Sequence, residues 1–131
     1  MSYWYLGSPY TRYEDGLEAA ATIAAVEAAR FIEAGITVFA PIPYGHALAK
    51  AGGLDPKDYN IWVPMNRPFI EEAIGLIVLK MKGWEVSTGL IEELKVFTRT
   101  RKPIIYAEVG QNVHEVMAQL RPVTFRVVPR R

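Results

Sequence analysis

No cysteine occurs in the 131 residues, which excludes a disulfide framework, a thiolate zinc site and a cysteine nucleophile. Charge of one sign is missing too. Fifteen Lys and Arg stand against 14 Asp and Glu, a net charge of +1, so electrostatics gives no argument for a nucleic-acid or acidic-surface partner. No apolar run approaches the roughly 18 residues needed to span a bilayer, and the N-terminus lacks a basic region followed by a hydrophobic one. The default expectation is a soluble cytoplasmic protein with no membrane partner. No glycine-rich dinucleotide fingerprint follows the first strand, and no Walker-type loop occurs. The two histidines, His46 and His114, do not sit in metal-site spacing, so no metal is expected. Repeats, low-complexity tracts and linkers are also absent. Half of the residues are hydrophobic, enough for one domain over residues 1–131 with a core of its own.

In chain order, Ser2-Tyr3-Trp4-Tyr5-Leu6 reads as an aromatic strand broken by Gly7-Ser8-Pro9-Tyr10, a stop that makes a loop of phosphate or sugar size. The periodicity predicts a helix from about Tyr13 to Ala34, closed by Gly35, with Leu17, Ala21, Ala24, Ala28 and Phe31 on the sheet-facing side. Ile23 and Val26 fall elsewhere. They are either scattered surface apolars or part of a contact with a second subunit. Ile36 to Ala40 reads as a second strand. The prolines of Pro41-Ile42-Pro43 suggest an extended exit rather than an immediate crossover helix, with a short helical piece from Ala47 to Ala51. His46, near that strand end, is a candidate for the site because neighbouring parallel strands deliver their ends to one side; a structural or solvated histidine is the plainer reading.

Tyr59 to Pro68 is rich in groups that stack or hydrogen-bond. Trp62 and Met65 read as core or loop packing, and Asn66 and Arg67 as the polar groups worth testing. Phe69, Ile70 and Ala73 carry helical spacing into a strand over Gly75 to Met81. A fourth strand is expected at Pro103 to Ala107, and a helix from Asn112 to Leu120 that leaves His114 on the surface. Phe125 to Val128 is a possible fifth strand at an edge, in a basic tail that includes Arg121, Arg126, Arg130 and Arg131. Strands alternating with helices call for a parallel, doubly wound sheet of four or five strands.

The most informative stretch is Ser87-Thr88-Gly89-Leu90-Ile91-Glu92-Glu93, which turns a buried strand into a helix beside a carboxylate. Leu90, Ile91, Leu94 and Phe97 recur at helical spacing. Glu92 points away from that stripe and Glu93 borders it, leaning back over the turn of Gly89. Ser87 or Thr88 can cap the helix, and its free first-turn amides can seat an anion such as phosphate. The helix dipole is expected to favour an ionised Glu93, suited to a nucleophile or base. The alternative is ordinary helix-start chemistry: Ser87 only a cap, Gly89 a packing notch, Glu93 a solvated border residue.

Tyr5-Leu6-Gly7-Ser8-Pro9-Tyr10, Trp62 through Asn66, and Gly83-Trp84 with Ser87-x-Gly89-x-x-x-Glu93 together resemble the nucleoside 2-deoxyribosyltransferase-like superfamily. Within it the chain looks most like a small, mostly uncharacterised bacterial family. The likeness runs to about Ala107. It implies a flavodoxin-like, Rossmann-like three-layer sandwich and chemistry at an N-glycosidic bond, with no metal or organic cofactor. The residue matching Glu93 attacks the anomeric carbon, displacing the base and leaving a glycosyl-enzyme ester. Tyr5 matches a tyrosine that positions this carboxylate, and Gly7 a loop residue near the ligand. Ser8, Pro9, Tyr10, His46, Trp84, Ser87 and Gly89 are the accompanying candidates for substrate binding. Ser87 stands where the transferases carry an aspartate, and resembles instead the hydrolases of nucleoside monophosphates. A hydroxyl with helix-start amides welcomes a phosphate that an aspartate would repel.

Asn66 departs from the pattern, because the superfamily usually has there an aspartate that helps protonate the departing base. An amide cannot act as a general acid. The resemblance also implies a homodimer or larger assembly in which a neighbour completes the site. The expectation is therefore a nucleotide N-glycosidase or transferase acting on a small molecule. The alternatives are a non-catalytic nucleotide-binding module and an aromatic-rich pocket for an unrelated metabolite.

Overall fold

Gly75–Leu79 (β3) is buried at every residue, the pattern of a central strand covered on both faces. It pairs in parallel with Trp4–Gly7 (β1) on one side and Ile104–Ala107 (β4) on the other, and β1 pairs with the short Val38–Phe39 (β2). The result is a four-stranded parallel sheet in the order β2-β1-β3-β4. The computed structural model describes residues 2–127, with side chains as far as residue 122.

Alternation along the strands divides the core into two layers. Trp4, Leu6, Ile77 and Leu79 face Leu17–Glu33 (α1) and Val113–Val127 (α5), where they meet Ala20, Ala21, Ala28, Phe31, Val116 and Leu120. Tyr5, Leu76 and Val78 face the opposite way. They meet Leu90 and Phe97 of Thr88–Arg99 (α4), with Phe69 and Ile70 from the end of Tyr59–Glu72 (α3). Helices on both faces make a three-layer α/β sandwich, the fold class expected from the alternating elements. In this order the chain leaves β1 toward β2 and returns to lay β3 on its other side. The crevice above the carboxyl ends of β1 and β3 is thus the topological switch point, where such sheets bind ligands.

Several elements differ from the sequence expectation. Helix α1 begins at Leu17, not Tyr13, because residues 11–15 form turns and Gly16 sits at φ 97°, outside the helical region. Ile23 packs against the core, since the buried face also runs through Ala20 and Glu27 at helical spacing; Val26 is 53% exposed. The expected extended exit after β2 is a helix at once, Pro41–Gly52 (α2). Pro41 and Pro43 occupy first-turn positions, whose N–H groups have no helical partner to lose. Helix α3 runs through Pro64 and Pro68, started by the Asp58 carboxylate accepting from the Asn60 N–H at 2.9 Å. The prolines stand four residues apart on an exposed face with Asn60, so water can satisfy the carbonyls they leave unpaired. The fifth strand is not formed over residues 125–127, which end α5. The stripe Val113, Val116, Met117 and Leu120 packs α5 on the sheet, and its helix carries on into the β-branched segment. Val128, Arg130 and Arg131 lie outside the described residues.

Candidate active site

Tyr5 and Gly7 share the face of β1 that looks toward α4, and this one fact of strand periodicity assembles the centre of the site. The Tyr5 hydroxyl donates to Glu93 Oε2 at 2.7 Å, across 88 residues of sequence. Tyr5 is fully buried against Phe39 and Phe97, so its ring is fixed before it meets the carboxylate. Burial first, and Glu93 second, push its phenol well above its ordinary pKa, so it stays a donor. Gly7 supplies the room. A Cβ there would stand 2.8 Å from Leu90 Cδ1 and 3.1 Å from Glu93 Oε1, which only a residue without a side chain avoids.

Glu93 itself is half-buried, and withdrawal from water raises its carboxyl from the ordinary 4.5 to about 7, with the Tyr5 hydrogen bond opposing the rise. The expectation that the helix dipole would keep it ionised is corrected by position. With Thr88 the first helical residue, Glu93 lies in the second turn, beyond the dipole's effective reach. A carboxyl poised near neutrality suits acid–base or nucleophilic work.

Around it lies a cavity of about 470 Å³, within the usual range for small-molecule sites. Ser87 caps α4, but its Oγ accepts from the Leu90 N–H at a long 3.5 Å. Thr88 and Gly89 follow it along the cavity wall, and the space where a Gly89 side chain would sit is open. Ser8 reaches the same cavity. It is 4% exposed and its hydroxyl has no hydrogen-bond partner, an uncommon state for a buried polar group.

The opposite wall is built from Tyr10 and His46, and from one stripe of α3 that includes Tyr59, Trp62, Val63, Asn66, Arg67, Ile70 and Glu71. Tyr10 Oη lies 2.7 Å from His46 Nδ1, and His46 Nε2 lies 2.8 Å from Glu18 Oε2. Glu18 also accepts from Lys50 at 2.8 Å, and these two bonds, Lys50 first, hold its carboxyl below the usual range.

Of the residues singled out from the sequence, Ser8, Tyr10, His46, Asn66, Ser87, Gly89 and Glu93 thus meet in one cavity. Tyr5 and Gly7 lie behind Glu93 rather than on the wall. Pro9 is buried outside the lining, and Trp84 packs instead on Tyr106, with ring centroids 5.6 Å apart. Arg67, singled out with Asn66, lines the cavity as well, and the rest of the α3 stripe, Tyr59, Trp62, Val63, Ile70 and Glu71, was the main omission. Its i, i+3, i+4 spacing is present in the sequence, but Pro64 and Pro68 argue against a helix there. Arg99 and Thr100, at the far end of α4, also line the cavity. Among the described residues, no cluster of three His, Asp or Glu side chains could hold a metal, and no helix is long and apolar enough to cross a membrane.

Fold and site together define a three-layer α/β protein with a neutral-range carboxyl in a pocket at the switch point of its sheet. The chain belongs to the family described as a domain of unknown function (DUF1937), whose model matches residues 2–109. No curated protein matches it.

Proposed function

We propose that the protein cleaves or transfers across the N-glycosidic bond of a nucleotide, with Glu93 attacking the anomeric carbon to form a glycosyl-enzyme ester. The observation that carries this reading is the 2.7 Å bond from Tyr5 to Glu93. It holds one carboxylate oxygen and leaves the other beside Gly7, at the cavity. The unpartnered Ser8 hydroxyl, Ser87 and the first amides of α4 supply polar groups for a phosphate. The acceptor for the sugar is water or a second base, and the reaction needs no cofactor. Val26 and Ile32 are exposed apolar side chains of α1 left for a contact in a homodimer or larger assembly. A cytoplasmic location fits a substrate drawn from free nucleotides.

Incubation with ribo- and deoxyribonucleoside monophosphates, followed by chromatography of free base, tests this reading. Release by the wild type and not by Glu93→Ala supports it. No release from any member, repeated with paired nucleosides and acceptor bases, overturns it. Asn66 favours one other reading, a nucleotide-binding module without turnover, because an amide stands on the cavity wall where a proton donor is wanted. That reading gives a rise in melting temperature with nucleotide and no free base.

A further inference from the structure

Departure of a neutral base from a sugar requires a proton on the base, and Asn66 has none to give. The question is where on the cavity wall a deliverable proton lies. We propose that Tyr10 is the acid that protonates the departing base, reloaded by His46 behind it. The assignment rests on the glycosidase reading of Glu93 and names the residue that completes it.

Three observations carry it. Tyr10, largely buried, and His46 both line the cavity that holds Glu93. Tyr10 follows Gly7 by three residues, and Gly7 abuts Glu93, so the backbone separates the two points by at most about 11 Å. Third, the hydrogen bonds have a direction. Glu18, kept ionised by Lys50 and His46, can only accept, so His46 Nε2 carries a hydrogen.

Two states of the pair follow. In neutral His46, Nδ1 bears a lone pair and the Tyr10 hydroxyl donates to it, turned away from the cavity. In the imidazolium, Nδ1–H donates to Tyr10 Oη, and the phenolic hydrogen is free to point at the ligand. As Glu93 forms its bond to the anomeric carbon, the C–N bond breaks and its electron pair stays on the base. The phenolic proton moves to that nitrogen, and the Nδ1 proton moves to Oη. Tyr10 ends as a neutral phenol and His46 as a neutral imidazole. When water attacks the ester, the reverse path carries its proton back to Nδ1, so a cycle returns Glu93 ionised and His46 charged. Nothing else is consumed. The Glu18 carboxylate, exposed to solvent, accepts the Nε2 hydrogen of His46 throughout.

A substrate that needs no proton separates this role from a merely structural one. A pyridinium nucleotide on the same sugar phosphate releases a neutral pyridine directly. Tyr10→Phe and His46→Gln are compared with the wild type on it and on a purine or pyrimidine monophosphate, with melting curves for each protein. Read as base or pyridine released in the first turnover, before water attacks the shared ester, the expected result is a loss of roughly 10²–10⁴ on the ordinary nucleotide, the usual worth of a general acid, with no more than a severalfold loss on the pyridinium. Equal losses on both substrates, or none, overturn the relay. A wild type that releases only pyridine overturns it too, while keeping Glu93 as nucleophile. A wild type inert on both removes the glycosidase reading and this assignment with it.

Discussion

Replacing Glu93 by glutamine is expected to stabilise the protein above neutral pH and not below pH 5. A carboxyl whose pKa rises on folding holds its proton more firmly in the native state than in the unfolded chain. Stability therefore falls as pH climbs from the unfolded value of 4.5 to the folded value of about 7, and above that the full cost applies. Two and a half pH units correspond to at most about 3–4 kcal/mol. The side chain is half-buried and the cavity opens to solvent, so screening reduces the net effect to about 1–2 kcal/mol. Glutamine is isosteric and keeps a carbonyl oxygen for the Tyr5 hydroxyl. For a chain of this length the gain amounts to roughly 3–8 °C in melting temperature. Thermal unfolding of both proteins at pH 5 and pH 8 measures it. A glutamine variant that gains nothing at pH 8 relative to pH 5 would refute the claim that burial costs the ionised carboxyl.

Tyr5→Phe removes the bond that opposes this rise, and a hydrogen bond to a charged group contributes about 1.5–3 kcal/mol, a ten- to hundredfold change in ionisation. Carboxyl titration by carbon NMR is expected to move alkaline by about one to two pH units, and a titration unmoved or moved toward acid would contradict it. Ser8→Ala deletes a buried hydroxyl that bonds no other protein group, so unliganded stability is expected to change by less than about 1 kcal/mol. The thermal shift given by a nucleoside monophosphate shrinks in the same variant; an undiminished shift removes Ser8 from the phosphate seat. Glu27 is buried on α1, where its Oε1 accepts from Arg30 at 2.7 Å and from the Gly110 N–H at 3.0 Å. Glu27→Ala leaves the Gly110 N–H and Arg30 Nη1 without their acceptor at the turn into α5, while Arg30 Nη2 keeps the Gln111 carbonyl, with an expected loss of about 2 kcal/mol in denaturant unfolding. A loss below 1 kcal/mol would show that water replaces the carboxylate there.

What the sequence conveyed follows from how each feature is encoded. β3 is an unbroken apolar run, and α4 carries its cap, stripe and carboxylate within about a dozen residues, so both are local signals. The pairing of Tyr5 with Glu93 is not local, and only the family resemblance suggested it. Proline misled at Pro41 and Pro43, which read as breakers but lie in a first turn. Tyr59 to Pro68 was given no element, and α3, which runs through Pro64 and Pro68, supplies a cavity wall from its inner stripe. The Tyr10–His46–Glu18 chain was invisible for a different reason. Its members come from a loop and two helices, 28 and 36 residues apart, and no spacing rule links them.

Glu93 must meet two opposed demands, and the architecture around it is a compromise between them. Dry surroundings strengthen its interaction with a developing positive charge on a sugar, yet the same dryness keeps it protonated, and a protonated carboxyl cannot attack. A solvated glutamate would be ionised but weakened by its water. The value of about 7 sits between these limits, and it is set by two identifiable groups of contacts. Leu90 and Leu76, pressed against Gly7, withhold water from one side, while the Tyr5 hydroxyl restores part of the lost solvation without admitting solvent. Enlarging Gly7 would displace the carboxylate, and removing the Tyr5 hydroxyl would neutralise it. The two substitutions therefore damage the site by different routes. The first lowers turnover at every pH, whereas the second lowers it most below neutrality and recovers as pH rises.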